Sequence, residues 1–499
     1  MNAPGGVPFV LSLGESRLTA GFDRYRRLDL LAHEEVHGDF PRLGYGDLLD
    51  LAEQIKLRGR GGAGFPFARK LKAVAESVRR RGLPAVVAVN ATEGEPAAWK
   101  DKVLLTRAPH LILDGASLVA RALRAEEIVI GIADDGIGGE SLAAALAERR
   151  MPVATRVVTV PHRFISGEGG ALVRGMNGEA NIPPGRKVRS SDFGVNGLPT
   201  LLSNAETFAQ LAIAARVGPA RYATVGTADE PGTVMLTITG STRRPSVVEC
   251  PTGAPLKEVL RMCGADIGVG LLTGGFHGKW ITAEAAGQAE VSIKGLAEVG
   301  GRLGAGIMVP LGEGTCPLGE TARVVQYLAA ESAGQCGPCR LGLPDMARLV
   351  AEVASGTGNP DAVRAAANFV RGRGACGHPD GTAGFAMSAM DVFAEDIAAH
   401  ARGDGCDRPV KGVLPMPPGA EGGARRLAVD WSRCDGHGLC AAVLPELIRL
   451  DGNGYPSFPD LPVPPWLERG ANQAVAMCPA LALRFVDNDR KPATAGKAR

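Results

Sequence analysis

The chain has 499 residues, which at about 100–200 residues per domain points to three or four folded units. Lys+Arg 55 against Asp+Glu 53 leaves a net charge of +2, too balanced for a default non-specific nucleic-acid binder. A hydrophobic content of 45% with 22% charged residues excludes wholesale disorder, and no run approaches the roughly 18 apolar residues of a transmembrane helix.

The N-terminus, MNAPGGVPFVLSLGESR, has no basic start before its apolar stretch. No signal peptide is expected, and a cytoplasmic location is, with any membrane association coming through a partner. Residues 1–228 alternate strand-like and helix-like runs: AVVAVN (85–90) and EIVIGIADD (127–135) predict strands, and ESLAAALAERR (140–150) predicts a helix. That pattern is an α/β domain. Residues 229–312 predict a small α+β module, with a strand at TVMLTITGS (233–241) and a helix at PLKEVLRMC (255–263). Residues 313–405 predict a helical bundle from the amphipathic stretches QYLAA, PDMARLVAEVA and DAVRAAANFVRG. Residues 406–426 are rich in Pro and Gly and predict a linker, 427–488 a last unit, and 489–499 a basic tail that frays. The expected fold class is multidomain α/β. Aromatic residues make up only 5%, which argues against a stacking surface for single-stranded nucleic acid.

Three loops carry polar chemistry. LRGRGGAGFPFARK (57–70) packs Gly59, Gly61, Gly62 and Gly64 around Arg60, and a helical stretch follows. Glycines admit close backbone approach to an anion, so a phosphate could sit at that helix start, with Arg60 and Lys70 adding charge. A plain tight connection is the alternative, because the spacing is not the G-x-G-x-x-G of dinucleotide sites. VNATEGEPAAWKDK (89–102) follows an apolar strand directly. Ligands of open α/β sheets sit at the carboxyl ends of strands, which would put Asn90, Glu93 and Glu95 on a binding loop; a solvated acidic turn is the alternative. FISGEGGALVRG (164–175) adds a third glycine turn that carries Glu168 into a helix.

In order, GRGGAGFP, N-x-x-E-x-E-P followed by KD, G-E-x-x-A-L and LPTLLSNAET (198–207) resemble the flavin-carrying subunit of NADH:quinone oxidoreductase. The module also occurs in NAD-reducing hydrogenases and formate dehydrogenases, and the resemblance covers roughly residues 20–400. It implies a Rossmann-like domain with FMN held by Gly59, Arg60, Gly61, Gly62, Lys70, Asn90, Glu93, Gly167, Glu168, Ser203 and Asn204, and with Phe164 near the flavin ring. It implies a β-grasp module at 229–312 and a cluster-bearing bundle at 313–405. Phe65 matches an aromatic that stacks on the nicotinamide nucleotide, and Glu95 a carboxylate near it. Ala73, Thr92, Gly169, Ile182 and Gly185 depart from the family's NADH contacts, with Arg186 and Lys187 close by as substitute charges. NAD(P)H is therefore one expected donor; an electron-relay role inside a larger oxidoreductase complex, with electrons arriving from another protein, is the other expectation. The family also implies redox partner proteins, among them a small [2Fe–2S] subunit.

The ten cysteines are unevenly placed: none precedes Cys250, and seven lie at or after Cys336. In a reducing compartment such clustering points to metal or redox chemistry. Cys336 and Cys339 form a C-x-x-C in ESAGQCGPCRLG (331–342), and Cys376 follows in GRGACGHPDG. Alone, the pair suits zinc, a redox dithiol or an iron–sulfur cluster, and His378 is the nearest further zinc ligand. The family's bundle holds a [4Fe–4S] cluster on four Cys; three match here and the first is Ala333. The resemblance thus implies [3Fe–4S], or [4Fe–4S] completed by water or a substitute such as Cys316, or a lost cluster.

In VDWSRCDGHGLCAAVLPEL (429–447), Cys434, His437 and Cys440 fall at three-residue steps, and Cys478 precedes Pro479. This nearly fits the ferredoxin signature C-x2-C-x2-C…C-P, with His437 in a ligand's place. Residues 427–488 resemble single-cluster bacterial ferredoxins. A [3Fe–4S] cluster on Cys434, Cys440 and Cys478 is expected, with His437 near its open corner; [4Fe–4S] with His437 as fourth ligand is the rival. Cys250, Cys263 and Cys406 have no partners at metal spacing and are expected to be structural. The parts together predict an iron–sulfur flavoprotein that passes electrons from a reduced donor to a one-electron acceptor.

Overall fold

The computed structural model describes residues 8–417, 425–458, 463 and 467–486. A four-stranded parallel sheet runs in the order Ala154–Val160, Glu127–Ala133, Val86–Ala91, Thr200–Asn204. The runs AVVAVN and EIVIGIADD form its two inner strands, and ESLAAALAERR supplies the helix Gly139–Glu148. Period-two alternation divides the Val86–Ala91 strand between two cores. Val87 and Val89 pack into the large cluster that includes the Pro109–Leu123 helix, while Val86 and Ala88 pack against Leu172 and Met176. A strand covered on both faces needs a continuous apolar run, and this one has it. At Gly115 the Pro109–Leu123 helix comes so close to the Ala205–Val217 helix that a Cβ would stand 1.9 Å from the Phe208 carbonyl oxygen. Only glycine fits there.

A second, mixed sheet has six strands in the order Phe9–Ser12, Ser246–Pro251, Thr233–Ile238, Ile307–Leu311, Gly270–Thr273, Lys279–Ile281. The N-terminal strand, expected to belong with residues 1–228, runs parallel to Ser246–Glu249 and so edges this sheet. Glu249, 1% exposed, explains the attachment. Its carboxylate accepts from Leu18 N–H (2.9 Å), Thr19 N–H (2.9 Å), Thr19 Oγ1 (2.7 Å) and Thr233 Oγ1 (2.8 Å). A buried carboxylate is tolerated when its lone pairs are filled in this way, and the donors come from far along the chain.

Helices Pro317–Ala330, Leu343–Ala354, Pro360–Val370, His378–Val392 and Ala394–Ala401 share a core that includes Leu328, Met346, Val350 and Phe385. The expected linker, 406–426, begins as a strap bound to these helices. Cys316 N–H donates to the Pro409 carbonyl at 3.0 Å, and the buried Glu320 carboxylate accepts from Lys411 N–H (3.1 Å) and Val413 N–H (3.0 Å). Leu414 is buried. Over this part the segment is no free tether, because a carboxylate inside the bundle captures its N–H groups. Residues 418–424 lie outside the described residues.

In the last unit Arg426–Val429 pairs antiparallel with Leu483–Val486, and the Glu468–Ala476 helix packs with them on a small core of Leu427, Leu444, Ile448, Ala471, Ala474 and Leu483. The expected tail, 489–499, lies outside the described residues. Among the described residues no single helix is long and apolar enough to cross a membrane. The bent pair Lys100–Arg107 and Pro109–Leu123 has the composition, but its apolar residues are packed in the α/β core.

Candidate functional site: a glycine-walled cavity and two thiol triads

A cavity of about 990 Å³ opens at the carboxyl ends of the parallel strands, where the α/β domain, the second sheet and the helical unit meet. Ligand pockets usually span about 300–1,000 Å³, so this one is large. Asn90 and Asn204 stand in register at adjacent strand ends and both line it. Gly61, Gly62, Glu93, Glu95, Phe164, Gly167 and Glu168 line it too, so the three loops singled out in the sequence converge. Gly59 and Arg60 line an adjoining pocket of about 150 Å³ that shares Gly62 with the first. Lys70, Ser203 and Phe65 stand outside the cavity lining. Lys70 Nζ donates to the Leu202 carbonyl at 2.9 Å, Ser203 Oγ is buried with no hydrogen-bond partner, and Phe65 is 45% exposed.

Beneath the glycines lies a buried charge network that the sequence pattern did not assign. Lys100, 1% exposed, holds its Nζ 3.0 Å from Asp101, 3.0 Å from Glu206 and 3.3 Å from Asn204 Oδ1. Burial acts to lower the ammonium pKa, but Asp101 and Glu206 outweigh it and hold Lys100 above the ordinary lysine value. The lysine is therefore charged, and it locks the strand end. Asn204 Nδ2 donates to Asp101 Oδ2 at 2.5 Å, and Glu93 Oε2 accepts from Lys102 N–H at 2.9 Å. The available signal was the KD pair in the 89–102 segment: two charges opening a helix whose first six residues are all buried.

Burial pushes the Glu93 carboxyl up, and Asp101 adds to this. Burial also lifts Glu95 to about 8, against the Phe276 N–H that donates to it at 2.7 Å. Between these acids, a Cβ on Gly94 would stand 1.8 Å from the Arg163 carbonyl oxygen. The glycine lets the acidic loop lie flat on the turn that carries Phe164.

Phe164 starts an aromatic wall that crosses all three units. Its ring lies parallel to Phe276 at 6.5 Å and edge-on to His277 at 4.6 Å and His378 at 5.7 Å. His378 Nε2 bonds to the Leu328 carbonyl at 2.7 Å, and a carbonyl only accepts, so Nε2 carries the proton. His378 Nδ1 then accepts from His277 Nε2 at 3.1 Å. Burial lowers His378 to about 4 and His277 well below the ordinary value, so both rings are neutral. The cavity's other cations, Lys279, Arg302 and Arg371, come from the second sheet and the helical unit. Arg186 and Lys187, the charges expected to substitute for lost contacts, are exposed and lie outside the lining.

The helical unit brings Cys336, Cys339 and Cys376 together. Cys339, 2% exposed, sits in the turn Pro338–Gly342, and burial followed by the two neighbouring thiols pushes its own thiol well up. Cys376 is pushed up by burial, and the cavity acid Glu168 acts in the same direction. Ala333 brings no ligand. Cys316 does not complete this triad. It stands instead with His400 and Cys406, the one group of potential metal ligands among the described residues whose donor atoms all lie within 4.8 Å of one another. Cys406 is therefore not an isolated structural thiol, as its spacing in sequence suggests; the fold, not the spacing, supplies its partners. The bundle thiols do not form a group as tight as this one.

In the last unit Cys434, Cys440 and Cys478 converge; burial pushes Cys440 up, and the other two thiols add to it. Cys478 Sγ accepts from Ala482 N–H at 3.3 Å. Gly436 (φ 70°) and Gly438 (φ 73°) take the left-handed conformation that turns the chain between Cys434 and Cys440. His437 is exposed on that turn. Beside Cys339, the Arg340 guanidinium donates to the Ser457 carbonyl at 2.5 Å and to its Oγ at 3.1 Å, joining the two thiol-bearing units.

These features fit the groups the sequence motifs imply. Glycine backbone forms the cavity wall, Arg60 Nε is buried without a hydrogen bond beside it, and each triad offers three thiols. A phosphate-bearing flavin suits the first two and iron–sulfur clusters the third.

Three family models match the chain in order: the Nuo51 FMN-binding domain over residues 52–213, the NADH-ubiquinone oxidoreductase-F iron–sulfur binding region over 319–400, and the 4Fe-4S single cluster domain over 427–485. The F 2 subunit of NADH-quinone oxidoreductase from Rhizobium meliloti is 26% identical over 379 residues, which are 71% of this chain and 88% of that one. The F subunit of the Streptomyces coelicolor enzyme is 27% identical over 407 residues, 77% of this chain and 89% of that one. Among solved structures, an NAD+-reducing [NiFe]-hydrogenase in the air-oxidized state shares the fold with a TM-score of 0.66 at 23% identity, over 77% of this chain and 67% of that chain.

Proposed function

We propose that this chain, an oxidoreductase like the F subunit of NADH-quinone oxidoreductase with a single-cluster domain joined behind its FMN-binding and iron–sulfur regions, oxidises NADH in the glycine-walled cavity and delivers single electrons through the bundle triad to the C-terminal triad. One observation carries this reading. Gly377 and His378, the two residues that follow Cys376, line the cavity, and Phe164 of the α/β domain packs edge-on to His378 at 5.7 Å, so the cavity wall runs directly into the turn that carries a thiol of the bundle triad.

FMN, when bound, supplies acceptance of a hydride and release of its electrons one at a time. Gly59, Gly61, Gly62 and Arg60 would hold its phosphate. Asn90, Glu93, Gly167, Glu168 and Asn204 would hold its polar edges, with Ser203 and Lys70 behind the strand end and Phe164 beside the ring. For NADH, Glu95 remains in the cavity from the family's set, while Phe65 stands exposed outside its lining. Lys279, Arg302 and Arg371 supply, from the opposite wall, positive charge in place of the Lys that the family carries at the position of Ile182.

Each triad supplies three thiolates, the number a [3Fe–4S] cluster takes. At the C-terminal unit this favours [3Fe–4S], with His437 the fourth ligand if the cluster is [4Fe–4S]. We divide the chain at 1–228, 229–312, 313–405, 406–426, 427–488 and 489–499, with the Phe9–Ser12 strand assigned to the second, β-grasp-like module. The relatives are named as subunits of NADH-quinone oxidoreductase, which supports a partner protein here, a small [2Fe–2S] chain first.

Anaerobic titration with NADH tests the reading. Bleaching of the flavin at micromolar NADH is the expected result. No bleaching up to millimolar NADH would make the chain a relay that receives its electrons from another protein, a reading favoured by the departures at Ala73, Thr92, Gly169, Ile182 and Gly185.

A further inference from the structure

We propose that Cys316, His400 and Cys406 form a binding site for a zinc-class divalent cation, distinct from both thiol triads, which pins the strap to the helical unit. Their three donor atoms lie within 4.8 Å of one another. Cys316 Sγ and His400 Nε2 are 3.6 Å apart. Across a tetrahedral zinc ion, with Zn–S of about 2.3 Å and Zn–N of about 2.0–2.1 Å, the two atoms stand about 3.6 Å apart.

The surroundings are set for a metal. His400 Nδ1 bonds to the Ala354 carbonyl at 2.7 Å, so the proton is on Nδ1 and the Nε2 lone pair is free toward the sulfurs. A backbone carbonyl behind a ligating histidine is the usual way to fix its ring and tautomer. Cys316 Sγ accepts from Gly319 N–H at 3.4 Å and caps the Pro317–Ala330 helix. The Cys316 N–H bond to Pro409 and the ion pair of Arg408 with Asp396 hold the strap where Cys406 meets the other two.

The ligands come from the start of the first bundle helix, the end of the last one and the segment that leaves it. A cation here ties together both ends of the helical unit. It also sets the point from which the chain departs toward the C-terminal unit. Three protein ligands leave the fourth position to water, and zinc, having no redox chemistry, takes no part in the electron path.

The test uses the full chain, purified anaerobically with its flavin and iron. Elemental analysis should find about one zinc per chain beside the iron, and X-ray absorption at the zinc edge should show two sulfur ligands, with nitrogen or oxygen completing the shell. Cys406→Ser and His400→Gln should each weaken zinc retention by about tenfold or more while flavin and iron counts hold at wild-type values. The inference is overturned by a wild-type chain free of zinc after growth with zinc, or by a zinc shell of three or four sulfurs, which would place the ion in a thiol triad. Zinc retained by both variants, or a Cys316–Cys406 disulfide in the unreduced protein, also overturns it. If either variant fails to fold, the zinc content and absorption spectrum of the wild type decide.

Discussion

The bundle triad and the C-terminal triad have the same number of thiols and differ in their settings, chiefly at one thiol: Cys336 and Cys376 are half-buried like the C-terminal three, and Cys339 is buried. Cys339 is closed into a turn under a core of five helices, next to a cavity whose wall carries an acid that acts on Cys376. Cys434, Cys440 and Cys478 are all half-buried, on a unit with only a small core of its own. Ligand count is a property of the motif; solvent access and local charge are properties of what packs around it. Those two set cluster potential and lability. The difference suits an inner station that takes electrons from the cavity and an outer one that gives them to a partner.

The sharpest way to break this contrast is to remove one thiol from each site. Cys440→Ala should abolish the C-terminal cluster's paramagnetic signal and leave flavin content unchanged, because the two regions share no core. Loss of flavin with that cluster would show that they are not independent. Cys339→Ala should remove the inner cluster and, in addition, lower unfolding free energy by about 0.5–3 kcal/mol, since it empties a packed site; urea titration measures it.

pH tests the cavity beside the inner triad. The Glu95 carboxyl keeps its proton up to about pH 8 in the fold, while the unfolded chain releases it near 4.5. Its contribution to stability is complete below about pH 4.5 and is lost as pH rises to about 8. Glu95→Gln removes that slope. The melting temperature of the variant minus that of wild type should therefore climb across this window and level off above it. A flat difference would mean that Glu95 is solvated in the fold.

A smaller effect is expected from Glu168→Gln. Burial raises the Glu168 carboxyl, so its charge is fully present at alkaline pH; there, removing it should raise the inner cluster's reduction potential by up to about 60 mV, a tenfold change in a one-electron equilibrium, and leave the outer one unmoved. Equal shifts at both clusters would erase the proposed asymmetry. Smallest is Arg340→Ala, which deletes the contact to Ser457 between the two units. It should weaken their docking by about 0.5–1.5 kcal/mol, read as a modest slowing of electron transfer between clusters in stopped-flow experiments.

Much of the cavity was legible because its near wall is local. Asn90 and Asn204 stand at the ends of adjacent strands, Gly61, Gly62, Glu93, Glu95, Gly167 and Glu168 lie on the loops and turns that meet those ends, and each segment's composition announces itself. The far wall was not legible. His277, Arg302 and Arg371 look like ordinary loop residues until the second sheet and the helical unit close over the strand ends. Lys100 belongs to a legible motif, but its role depends on Glu206, a helix residue that reaches it only in the fold. Phe65 was expected in the site and stands 45% exposed outside the cavity lining.

Periodicity and spacing, which act over a few residues, sufficed for the two inner parallel strands, the helix-rich stretch after residue 312 and the close pairs Cys336–Cys339 and Cys434–Cys440. The tertiary structure alone decided that Phe9–Ser12 edges the second sheet, that residues following Cys406 bind the bundle as a strap, and that Cys316 meets His400 across 84 positions. Such meetings depend on which apolar faces are buried against one another and on where buried carboxylates such as Glu249 and Glu320 find their donors. Those are properties of packed elements, and no window of neighbouring residues contains them.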